Sequence, residues 1–178
     1  MIRPLYFHNP NQEGFEAIIK HLHSKNYKFI SIEELYSRLE KNDTKGKLAY
    51  ISFDDGWQGN LKLIPIIEKY NVHITIFIAV NPIMSGNFWW EFVAKKVGYT
   101  QMQNFKNLPH DEFESQLKKI KTEVADLQRS AMTIDELETI TTHPLISIQS
   151  HTINHPILTK LPDDLLDFEL SESQKQLE

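Results

Sequence analysis

The stretch Leu48-Ala49-Tyr50-Ile51-Ser52-Phe53-Asp54-Asp55-Gly56 decides the fold. Its first six residues are compact and apolar, the pattern of a strand buried on both faces of a parallel sheet. The run stops at two adjacent carboxylates and a glycine that lets the backbone turn sharply. Working outward, further strand candidates lie near residues 4–8, 28–31, 73–80 and 145–149. Between them the apolar residues step at helical spacing. Phe15, Ile18, Ile19 and Leu22 form one such face, and Phe113, Leu117, Ile120, Val124 and Leu127 another. Ser31-Ile32-Glu33-Glu34 and Thr133-Ile134-Asp135-Glu136 are capping boxes that open two helices. Leu61 to Tyr70 and Phe88 to Val97 read as helices, and residues 99–110 as polar and irregular. A last helix opens at Pro162-Asp163-Asp164, with Leu166, Leu170 and Leu177 on one side. Strands alternating with helices predict an α/β fold with parallel strands, whose ligands collect at the strands' carboxyl ends.

Composition narrows the chemistry. The 178 residues carry 40% hydrophobic and 24% charged side chains, an ordinary globular balance that excludes a disordered or collagen-like chain. With no Cys, the sequence excludes disulfides, iron–sulfur clusters, cysteine zinc sites and thiol nucleophiles. Any metal site must use His, Asp, Glu and water, so the 8 His residues carry weight. A net charge of -5 and the absence of a basic half argue against a nucleic-acid partner. No apolar run reaches the roughly 18–20 residues of a membrane span. The chain opens Met1-Ile2-Arg3-Pro4 without the basic and apolar regions of a secretory signal, which is expected of either a cytoplasmic protein or a trimmed exported one.

Two segments sit where the strand-end rule puts chemistry. At Asp54-Asp55-Gly56 the carboxylates repel each other unless a cation or a proton holds them. Alone, the segment also reads as an acidic surface turn. At His151-x-x-x-His155 the spacing predicts two imidazoles on one side of a helical turn, as a metal-ligand pair requires. Alone, it also reads as two surface histidines. Taken together, one carboxylate and two imidazoles make a facial three-ligand set with an open position for water. Zinc suits it, and cobalt, manganese, nickel or iron would accept the same donors. The second carboxylate stays beside the metal, able to take a proton from water.

Ser52-Phe53-Asp54-Asp55-Gly56 followed by Ser150-His151-Thr152-Ile153-Asn154-His155 closely resembles the first two motifs of the polysaccharide deacetylases, the NodB-like group of carbohydrate esterase family four. Trp57 after the first motif, the strand His73-Ile74-Thr75-Ile76-Phe77-Ile78, and a lead-in segment over residues 1–47 fit the same resemblance. It implies a distorted, incomplete (β/α) barrel and a hydrolase that removes acetyl groups, most often N-acetyl, from a glycan. It also implies Asp54 as general base, and Asp55, His151 and His155 as ligands of a divalent metal.

The resemblance has two gaps. The family's later motifs, with an Arg, an orienting Asp and a His that serves as general acid, have no counterpart in residues 1–178. The expectation is therefore a single, partial domain, truncated on its C-terminal side. A naturally short protein that completes its barrel with another copy, through an open edge, is the alternative. Asp55 and His151 also stand 96 positions apart, which marks residues of about 81–132 as an insertion. Within it, Trp89 and Trp90 read either as sugar-stacking faces or as packing. Adjacent helix positions point in different directions, which favours packing. Trp57, beside the carboxylates, is the better substrate-contact candidate, and His8, ending the first strand, could reach the site. Two other functions stay open: a non-catalytic metal- or glycan-binding member, and a hydrolase of a small amide on the same fold.

Overall fold

The computed structural model describes residues 1–178. The elements run β1 (Ile2–Phe7), α1 (Gln12–Ser24), β2 (Lys28–Ile30), α2 (Ile32–Glu40), β3 (Leu48–Phe53), α3 (Ile64–Tyr70), β4 (Ile74–Ile78), α4 (Val80–Ser85), α5 (Trp89–Val97), α6 (Tyr99–Phe105), α7 (His110–Glu123), α8 (Ile134–Thr141), β5 (Ile146–Ser150) and α9 (Asp163–Leu177). Each strand expected from the sequence is present. The chain divides into two compact units, Met1–Ile78 with Thr133–Gln149, and Ala79–Met132 with Ser150–Glu178. The segment expected as an insertion falls in the second.

The first unit is an open parallel sheet with helices, the unclosed (β/α) barrel expected. Its strand path is β1-β3-β4-β5, with β2 also paired to β3. β3 runs parallel to β1 along its whole length, from Ile2 opposite Leu48 to Phe7 opposite Phe53. On its other side β3 meets β2 over Leu48–Tyr50 and β4 over Ile51–Phe53, both parallel. All six β3 residues are buried. At its carboxyl end the rings of Phe53, Phe7 and Phe15 sit with centroids 5.5–5.6 Å apart, an apolar floor under the turn that follows.

The helix starts follow their sequence signals. Thr133 and Glu136 close a reciprocal box at the start of α8, whereas Ser31 accepts the N–H of Glu34 without the return bond expected of a box, the Glu34 carboxylate pairing with Lys28 and Arg38 instead. α3 starts at Ile64, with Pro65 in its first turn, where a missing N–H costs nothing.

The second unit is built on an aromatic cluster. Trp89 and Val93 of α5, Met102 and Phe105 of α6, and Phe113, Leu117 and Ile120 of α7 form its core. Two expectations need correction here. Residues 99–105 are not irregular, because α6 gains a reason to form once Met102 and Phe105 bury against Trp89. Val124 and Leu127 lie beyond the end of α7, which stops at Glu123.

Phe53 is wholly buried among aromatic rings. Phe53→Ala is therefore expected to cost about 3–5 kcal/mol of stability, read from the midpoint shift in chemical denaturation at unchanged slope.

Candidate functional site

In the first unit, β3 delivers Asp54 and Asp55 at its carboxyl end. The Asp54 N–H donates to the Phe7 carbonyl at 2.8 Å, extending the β1–β3 ladder by one residue. The chain then turns through two successive left-handed residues, Asp55 (φ 77°) and Gly56 (φ 90°). Glycine takes that geometry freely, whereas Asp55 is held in it against its own sterics. The turn carries the Asp55 side chain inward, where the residue is 1% exposed, while Asp54 stays half-buried. Trp57 donates its indole N–H to Asp55 Oδ2 at 2.9 Å, a charge-assisted bond that fixes the carboxylate's rotation. Sequence reasoning assigned Trp57 to substrate contact; its indole N–H is committed to Asp55.

The turn is tied down further. Asn60, buried, donates to the His8 carbonyl at 2.8 Å, and Gln58 donates to Glu136 Oε1 at 2.9 Å. The His8 side chain is exposed, so its backbone is what serves the turn. Along β3, burial pushes the Tyr50 hydroxyl above its ordinary pKa, and the Asp54 charge pushes it the same way.

In the second unit, His151 and His155 follow β5. Their ring centroids are 5.0 Å apart, so the two imidazoles are brought together as the spacing suggested. The means differ from expectation. Residues 151–157 form no helical turn, and both Thr152 (φ 70°) and His155 (φ 55°) are left-handed. Hydrogen bonds impose this path. The His155 N–H donates to Thr152 Oγ1 at 3.0 Å, and the N–H groups of Val80 and Asn81 donate to the carbonyls of Thr152 and Ile153. Trp89, 4% exposed, donates its indole N–H to the His155 carbonyl at 3.0 Å, and Trp90 sets its ring edge-on to His155 at 4.9 Å. The two tryptophans therefore hold the histidine loop, in line with the packing reading.

Asp55 in the first unit, and His151 and His155 in the second, can each offer one metal-ligand atom. Their surroundings suit that use. The carboxylate is buried and clamped, and the imidazoles are adjacent and only half-buried. One oxygen and two nitrogen donors are a set that zinc and its neighbours accept. Two contributors escaped the sequence reading. Glu169 of α9 accepts from the backbone of the histidine loop, and Gln58 reaches Glu136 across 78 positions. Neither lies in a motif, and no local pattern pairs such distant residues.

Comparison with known proteins gives a consistent picture. The family model for Polysaccharide deacetylase matches residues 41–178. YxkH of Bacillus subtilis strain 168, which carries a provisional polysaccharide deacetylase name, is 24% identical over 168 residues, 93% of this chain and 44% of that protein. The Streptococcus pyogenes deacetylase PplD, solved in complex with acetate, superposes with a TM-score of 0.65 at 18% identity, covering 99% of this chain and 66% of that one. IcaB from Ammonifex degensii gives 0.67 at 14% identity, with 99% and 67% covered. The two structures share the fold, and the chain spans less than half the length of YxkH.

Thr152 holds the His155 N–H while strained in the left-handed region. Thr152→Val is expected to cost about 1–3 kcal/mol by stranding that donor. Thr152→Ser keeps the acceptor and is expected to stay near the parent's stability, both read by thermal denaturation.

Proposed function

This chain belongs to the polysaccharide deacetylase family, and on that premise we propose that it takes part in metal-dependent removal of acetyl groups, most often N-acetyl, from a glycan. The observation that carries the reading is the unequal treatment of two adjacent carboxylates. Asp55 is buried and clamped by the Trp57 indole, while Asp54 remains half-buried at the mouth of the turn. A clamped carboxylate suits a ligand, which must hold one orientation. A more accessible one suits a base, which must meet water and release a proton.

In this reading Asp55, His151 and His155 hold one divalent ion, zinc fitting the donors well. Joining the Asp55 carboxylate and both imidazoles in a single ion is part of the proposal. Such an ion supplies a Lewis acid that polarises the acetyl carbonyl and acidifies water. Asp54 takes the proton from the attacking water as its oxygen bonds to the acetyl carbon. The carbon–nitrogen bond then breaks as the proton held by Asp54 passes to the departing nitrogen, which returns Asp54 to its carboxylate; acetic acid and the free sugar amine leave, and a proton passes from the acid to the amine. Trp57 acts through Asp55, keeping the carboxylate from rotating.

Loaded with zinc or cobalt and offered N-acetylglucosamine oligomers, the protein is expected to release acetate. Asp54→Asn should lower that release by roughly 10²–10⁴-fold with metal content unchanged. Asp55→Ala and His151→Ala should instead lose the metal, read by elemental analysis after dialysis. An Asp54→Asn protein as active as the parent would sink the reading.

A further inference from the structure

The last helix buries polar side chains more deeply than its apolar ones. Leu170 is 47% and Phe168 is 50% exposed, against the expectation that Leu170 lies on a packed face. The residues α9 buries are Glu169, 6% exposed, and Ser173, wholly enclosed. Burying a carboxylate is costly unless its oxygens are fully engaged. Here they are. Oε2 accepts the N–H groups of Ile153 at 2.8 Å and Asn154 at 2.9 Å, and Oε1 accepts the Asn154 side-chain amide at 2.6 Å. One turn further along, the hydroxyl of Ser173 pairs with that of Ser150 at 2.8 Å. One face of α9 therefore grips the chain just before His151 and again between His151 and His155.

We propose that Glu169 is a positioning residue for the two imidazoles. The proposal rests on the metal-dependent reading above, and Glu169 itself touches neither a ligand atom nor a substrate. It acts through the backbone. Two consecutive N–H groups, those of Ile153 and Asn154, converge on one carboxylate oxygen, which fixes the peptide planes between the histidines. On either side of those planes Thr152 and His155 are left-handed, a conformation neither residue prefers. The charge-assisted bonds to Glu169 oppose the relaxation of this segment to ordinary dihedrals. Relaxation would separate rings now 5.0 Å apart. The polar residues that α9 buries are thus explained by the loop they hold, while Leu170 and Phe168 stay in solvent. Support of this kind, one layer behind the ligands, is what turns neighbouring side chains into an organised donor set.

The test is Glu169→Gln, which keeps shape and volume but replaces one acceptor oxygen by an N–H₂ group facing N–H donors. Its zinc dissociation constant, measured by chelator competition, is expected to rise about tenfold or more. In the metal-free protein, amide hydrogen exchange at Ile153 and Asn154 should speed up about as much, with Ile51 of β3 unchanged. The nuclear Overhauser contact between the His151 and His155 rings should weaken. A zinc constant within twofold of the parent, with the ring contact intact, overturns the proposal. If the parent takes up no zinc, the metal reading fails by itself. Glu169 is then judged on the metal-free ring contact, whose persistence in Glu169→Gln overturns its role and whose loss supports it. Should Glu169→Gln not fold, Asn154→Ala removes one of the three donors and must shift the same readouts in the same direction. No shift there also overturns the role.

Discussion

Strand β3 is the constraint on which the sheet depends. It pairs along its whole length with β1 on one side and is shared between β2 and β4 on the other. A six-residue strand buried throughout must have its backbone groups satisfied by neighbours, because water cannot reach them. Its carboxyl end is consequently among the most rigidly supported points of the first unit. That rigidity is what allows Asp55, the residue after next, to be held left-handed and buried.

The histidine loop, which leaves β5 at Ser150, solves the same problem largely through helices. Its donors and acceptors go instead to α4, α5 and α9, through the carbonyls of Thr152 and Ile153, the carbonyl of His155, and the carboxylate of Glu169. The segments around the chemistry are in this sense bracing as much as decoration. The tryptophans are part of that bracing, one by its indole N–H and the other by its ring edge.

The sequence made the strands visible because a parallel strand is an apolar run with sharp ends, and Leu48 to Phe53 is such a run. Capping at Ser31 and Thr133 was visible because it is local. The pairs Asp54-Asp55 and His151-x-x-x-His155 were visible because strand ends collect polar residues, and the choice of Asp55 over Asp54 as a ligand came from the family resemblance. What was hidden depends on distance along the chain. α6 forms because Met102 and Phe105 find Trp89, and the histidine loop leaves the helical path because of bonds made to residues as remote as Glu169. The buried face of α9 defeats periodicity in part, since Leu166 and Leu177 are half-buried while Leu170 faces solvent and Glu169 and Ser173 take the most enclosed positions.

The parallel register between β1 and β3 has a kinetic consequence. Ile2 cannot find Leu48 until α1, β2 and α2 have been made and folded back, so the first strand waits unpaired while the chain lengthens. An unpaired apolar strand is a template for the wrong partner. β1 carries Arg3 and Pro4 in exposed positions, a charge and a missing N–H in the middle of the strand. In the interval before the sheet exists, these two residues make β1 a poor surface for another chain to join.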